Sequence, residues 1–107
     1  MTRITIHKTT AGEYHGFTCE GHAGYADSGK DIVCAAVSML VINTINSFEE
    51  ITKEPIQVKQ NARAGRIECL FEQPINESSK VLMDSLVLGL RQVEKQYGQK
   101  YCKLTFE

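Results

Sequence analysis

Residues 14–52 read YHGFTCEGHAGYADSGKDIVCAAVSMLVINTINSFEEIT, and three textures within them set the fold. Residues 14–21 alternate: Phe17 and Cys19 share one face, Thr18 and Glu20 the other, which is the pattern of a strand. Residues 22–30, HAGYADSGK, hold two glycines among small and polar residues and read as a loop. From Asp31 to about Thr52 the chain reads as a helix, with Ile32, Ala36, Met39, Leu40, Ile42, Ile45 and Phe48 recurring at helical spacing. Asp31 is the expected N-cap; Ser28, with Asp31 three residues on, offers a capping box as the alternative start.

Working outward, Arg3 to Lys8 alternates with Ile4 and Ile6 on one face and pairs, through the turn Ala11-Gly12-Glu13, with the strand after it. Lys53-Glu54-Pro55 ends the first helix. Ile56 to Lys59 is a short strand, residues 61–65 a turn, and Arg66 to Glu72 a strand with Ile67, Cys69 and Phe71 on one side. Pro74 and Asn76-Glu77-Ser78 lead into a second helix, Ser79 to about Tyr97. Leu82, Leu86, Leu90 (or Gly89), Val93 and Tyr97 form its apolar stripe, and Gly98 stops it. Tyr101 to Phe106 closes the chain as a strand. The order is β-β-α-β-β-α-β. It predicts an α+β fold in one domain over residues 1–107: a mostly antiparallel sheet with both helices on one face, burying every apolar stripe.

Composition narrows the function. Net charge is −1 with no basic run, so duplex nucleic acid is not an expected direct partner. The opening MTRITIHKTT has no apolar core of a signal peptide, and the apolar run from Ile32 to Ile42 is too short to cross a bilayer, so no membrane role is expected. Four cysteines without an export signal point to reduced thiols in the cytoplasm.

Strand parity sorts those thiols. Cys19 aligns with Phe17, Cys69 with Ile67 and Phe71, Cys102 with Leu104 and Phe106; each stands where a core residue is wanted. Cys34 instead lies at the start of the first helix, at N3 if Asp31 is the cap. There the positive end of the helix dipole favours thiolate, the nucleophilic form. His22 ends the second strand where the chain enters the loop that delivers Cys34, so the two can converge on one rim. A cysteine protease needs that pair: the imidazole takes the thiol proton and returns it to the leaving amine. His7 and His15 lie in or beside strands and read as surface histidines.

A zinc reading of Cys19-x-x-His22 with Cys34 competes. It is disfavoured because residues three apart on one strand point to opposite faces and no second close ligand pair exists, so neither metal nor cofactor is expected.

The segment GHAGYADSGKDIVCAAVS, residues 21–38, closely resembles the signature of the ribosomal-processing cysteine protease family, and length and element order match across the chain. The resemblance implies an enzyme that removes a short N-terminal extension from a large-subunit ribosomal protein, cutting after an aromatic residue and acting as a homodimer. It implies Cys34 as nucleophile and His22 as general base and acid, with Gly21, Asp31 and Ser38 at family positions. Ser38 lies one helical turn beyond Cys34 on the same face, where its hydroxyl could serve the rim or simply allow close packing. Asp31 could orient His22, although a cap needs no catalytic role. The loop Ala23 to Lys30, with Gly24 and Gly29, is expected to flank the substrate groove, and backbone N–H groups at the helix start are candidate oxyanion donors. Two other functions compete: a non-enzymatic ribosome assembly factor and another thiol-dependent transfer enzyme.

Overall fold

A computed structural model describes residues 1–22 and 31–107. The strands are β1 (Thr2–Lys8), β2 (Tyr14–Glu20), β3 (Ile56–Asn61), β4 (Arg66–Phe71) and β5 (Cys102–Phe106); the helices are α1 (Ile32–Glu50) and α2 (Glu77–Tyr97). The element order is the one expected. The strands form a five-stranded sheet in the order β3-β4-β2-β1-β5, antiparallel throughout except where β5 pairs parallel to β1. An antiparallel hairpin needs only a short turn, whereas a parallel neighbour needs a crossover. Here α1 carries the chain from β2 to β3 and α2 carries it from β4 to β5.

One face of the sheet packs on the helices. Ile4, Ile6, Phe17, Cys69, Phe71 and Cys102 bury themselves against Val33, Val37, Val41, Ile45 and Phe48 of α1 and Met83, Leu86 and Leu90 of α2. Phe48 meets Phe71 edge-on, centroids 5.2 Å apart, an arrangement that adds about 1 kcal/mol to the burial itself. On the other face, His7 is half-buried rather than a free surface histidine: its Nε2 lies 2.7 Å from the Thr18 hydroxyl, which donates in turn to Glu68 at 3.4 Å.

The expected stripe of α1 is corrected. Ile32, Met39 and Ile42 are 49, 67 and 48% exposed, while Val33, Val37 and Val41 are buried. Ser38 is the only polar residue among positions 32–42, so periodicity there barely distinguishes one face from another. The sheet selects the row of valines four residues apart. Over its full 19 residues α1 is also long and apolar enough, by length and composition, to cross a bilayer, contrary to the reading of positions 32–42 alone. Its buried residues nonetheless belong to the core between helices and sheet.

Caps hold the helix ends. Asp31 is the N-cap of α1, its Oδ1 accepting from the N–H of Val33 and of Cys34 at 3.0 Å each. Asn76 caps α2, which starts at Glu77, two residues before the expected Ser79. The buried Glu54 carboxylate accepts the Asn76 N–H at 3.2 Å and ties the start of α2 to the end of α1. Gly98 closes α2 with φ of 93°, a conformation that costs glycine little.

Candidate active site

The functional residues gather where β2 ends and α1 begins. β2 stops at Glu20, and Gly21 turns the chain with φ of 89°. A Cβ at Gly21 would stand 2.5 Å from the carbonyl oxygen of Met1, so the turn admits only glycine without rearrangement. The Gly21 N–H donates to the Gly65 carbonyl at 3.1 Å, fixing the turn to the loop between β3 and β4. His22 follows at once, its ring lying over Gly65: a Cβ there would come within 3.0 Å of Nε2. Gly65 therefore supplies the space in which the imidazole sits, and its φ of 61° suits glycine as well.

Cys34 reaches the same place from the helix side. With Asp31 as cap it occupies N3 and is half-buried. His22 and Cys34 both line one cavity of about 190 Å³, together with Gly21 and Ser38. Apolar walls come from Val37, Val41 and Ile42 of α1 and Ile67 of β4; Asn61, Gly65 and Arg66 form the rim across from the helix. Of the five residues the sequence singled out, four share this cavity. Asp31 does not line it but accepts the backbone N–H of Cys34, which does. The segment expected to flank the groove, residues 23–30, lies outside the described residues, as does the alternative cap Ser28.

Two arguments from sequence change. Cys19 is packed against the core, as parity required, yet it also lines the cavity with His22. The parity argument against a Cys19–His22 pairing fails, because β2 ends before residue 22 and Gly21 redirects the chain. Among the described residues, however, no group of three or more His, Cys, Asp or Glu side chains is arranged to hold a metal ion. The rim residues Asn61, Gly65 and Arg66 were missed. They arrive through the pairing of β2 with β4, which sets Glu20 opposite Arg66.

All four cysteines are free thiols. Burial pushes Cys19 up to about 12, with smaller contributions from Cys102, Cys34 and Glu20. Burial, then Glu49, takes Cys69 to about 12; burial, then Glu94, takes Cys102 to about 11. These three remain protonated at neutral pH and are poor nucleophiles. Of the backbone N–H groups at the helix start that are candidate oxyanion donors, those of Val33 and Cys34 are engaged, since both donate to Asp31.

The family model described as cysteine protease Prp matches residues 1–103. The chain belongs to the Prp family of cysteine proteases. As a member it is a protease of the thiol class. The ribosomal processing cysteine protease Prp of Mycoplasma pneumoniae is 30% identical over 101 residues, covering 92% of this chain and 89% of that protein. The Prp of Staphylococcus aureus is 21% identical over 99 residues, covering 92% and 93%. Among solved structures, S. aureus Prp with a covalently linked product peptide superposes with a TM-score of 0.93 at 20% identity over the whole of both chains, and the same protease with a substrate peptide gives 0.88. That likeness establishes the Prp fold; the bound peptides belong to those proteins.

Proposed function

We propose that this chain is an endopeptidase that removes a short N-terminal extension from a large-subunit ribosomal protein, cutting after an aromatic residue, with Cys34 as nucleophile and His22 as general base and acid. The observation that carries the reading is the convergence of a cysteine at helix position N3 and a histidine at a strand end on one apolar-walled cavity. The relatives are named ribosomal processing cysteine proteases, which supports a ribosomal substrate class for this chain.

The chemistry follows from the residues. The imidazole of His22 takes the Cys34 proton, and the sulfur attacks the carbonyl carbon of the scissile bond. The tetrahedral intermediate collapses as His22 returns the proton to the leaving amine, leaving a thioester on Cys34. Water, deprotonated by His22, then releases the new carboxyl end. Cys69 and Cys102 are buried, and burial raises the pKa of all three other thiols, Cys19 included, which leaves Cys34 as the thiol suited to this role. Asp31 acts as a positioning residue through the backbone of Cys34. Gly21 sets the turn that presents His22, and Ser38 extends the reacting wall by one helical turn. With the Val33 and Cys34 N–H groups engaged by Asp31, another donor stabilises the oxyanion.

The same reading has the enzyme act in the cytoplasm, where thiols stay reduced. It also has the enzyme act as a homodimer, and the exposed Ile32 and Met39 of α1 are apolar surface that a second copy could cover. The test is to mix the protein with its extended ribosomal-protein substrate and read product masses. Cleavage after an aromatic residue, abolished in Cys34→Ala, supports the reading; trimming by Cys34→Ala refutes it.

A further inference from the structure

A second cleft lies beyond the active-site cavity, bordered by the same helix and by β3. β3 is an end strand of the sheet, and every residue after Ile56 in it is exposed. Its helix-facing positions Ile56, Val58 and Gln60 alternate with outward ones. Gln60 lines the active-site cavity, while Ile56 and Val58 line a second, larger cleft of about 550 Å³. The helix wall is continuous as well. Cys34, Ser38 and Ile42 border the first cavity and Glu49 borders the second, all along one side of α1. Exposed Ile42 lines the first and exposed Val58 the second, at 48 and 41%. Laid end to end, these two separate clefts make a groove along α1 and the exposed inner side of β3, with the reacting thiol at one end.

Its far end is acidic. Glu49 and Glu72 are exposed there, with the buried Glu54 also lining the cleft and Lys53 as its one cation among the described residues. A chain lying in this groove is beside a sheet edge, where an extended peptide finds main-chain partners that a helix or turn does not. We infer that this groove docks an extended segment of the substrate next to the scissile bond, and that Glu49 and Glu72 receive a basic side chain of that segment. The inference rests on the proposed reaction at Cys34 and adds the substrate's binding track. The spacing follows from geometry. Cys34 and Glu49 are separated by about 22 Å of helix at 1.5 Å per residue, which an extended peptide spans in about six or seven residues.

The test reads affinity, so it does not depend on cleavage. Peptides carrying the scissile sequence, with one Lys or one Glu scanned four to eight residues to either side, are bound to the Cys34→Ala form at low salt by fluorescence anisotropy. The expected result is a preference of about tenfold for Lys over Glu at a position five to seven residues from the scissile bond on one flank, compressed by high salt. That preference falls to near one in Glu49→Gln/Glu72→Gln and inverts in Glu49→Lys/Glu72→Lys. No Lys preference on either flank, or a preference that the double variants leave unchanged, overturns the inference. A preference that behaves as expected while the unmodified enzyme cuts none of the peptides would instead sink the proposed reaction and keep the binding track.

Discussion

Replacing Asp31 by alanine isolates what the helix cap contributes. In the folded protein, Oδ1 of Asp31 accepts two backbone hydrogen bonds at 3.0 Å, from Val33 and from Cys34 itself. Alanine leaves both N–H groups without that acceptor at the start of a 19-residue helix. Loss of an N-cap of this type costs about 1 kcal/mol, within a range of roughly 0.5–2 kcal/mol. In a domain of about 100 residues, 1 kcal/mol corresponds to a fall in Tm of about 4–8 °C. Asparagine keeps an oxygen in the same place and caps about as well, so Asp31→Asn should lose at most a small part of that. Activity separates the two roles open to this carboxylate. If Asp31 works as the cap, cleavage by Asp31→Asn stays within a few-fold of the parent, whereas Asp31→Ala loses activity together with stability. Thermal unfolding and kcat/KM measured on both variants decide the matter. An Asp31→Ala protein with an unchanged Tm would show that the cap carries no weight, and a large loss of kcat/KM in Asp31→Asn at unchanged Tm would assign the charge a role in the reaction.

Other outcomes follow from the same geometry. Gly65→Ala places a methyl 3.0 Å from His22 Nε2 on a backbone with φ of 61°, so cleavage should fall at least tenfold; a variant with parental kcat/KM would show that the ring does not depend on that space. Brief alkylation of the native protein at neutral pH should modify Cys34 alone, with Cys19, Cys69 and Cys102 labelled only after denaturation, as peptide mass mapping will report. Because burial raises those three thiols from 9 to about 11–12, their contribution to stability is complete below pH 9 and drains as pH rises through 11–12. Chemical denaturation from pH 8 upward should show that decline, and a flat profile to pH 11 would contradict it.

Much of this molecule could be read before its structure, and the exceptions share a physical origin. Strand parity placed Ile4, Phe17, Cys69 and Cys102 in the core because side chains alternate between faces for as long as the strand runs unbroken. The face of α1 was misjudged because residues 32–42 are apolar on nearly all sides, so burial there is decided by the sheet and not by the helix's own pattern. Asp31, Cys34 and His22 were legible because caps and strand ends are local features. Asn61, Gly65 and Arg66 were not, because they reach the cavity through the pairing of β4 with β2, a contact between residues about 45 apart in sequence. The failed parity argument at Cys19 and His22 shows the complement: one glycine with positive φ ends the strand and cancels its alternation.

The central claim is that Cys34 and His22 act as one unit, and kcat/KM for Cys34→Ala, His22→Ala and the double variant tests it most directly. The account predicts that either single change removes several orders of magnitude and that the double variant is no worse than the singles, as expected for groups that serve one step. A His22→Ala enzyme within about tenfold of the parent, or single losses that simply multiply in the double variant, would contradict it.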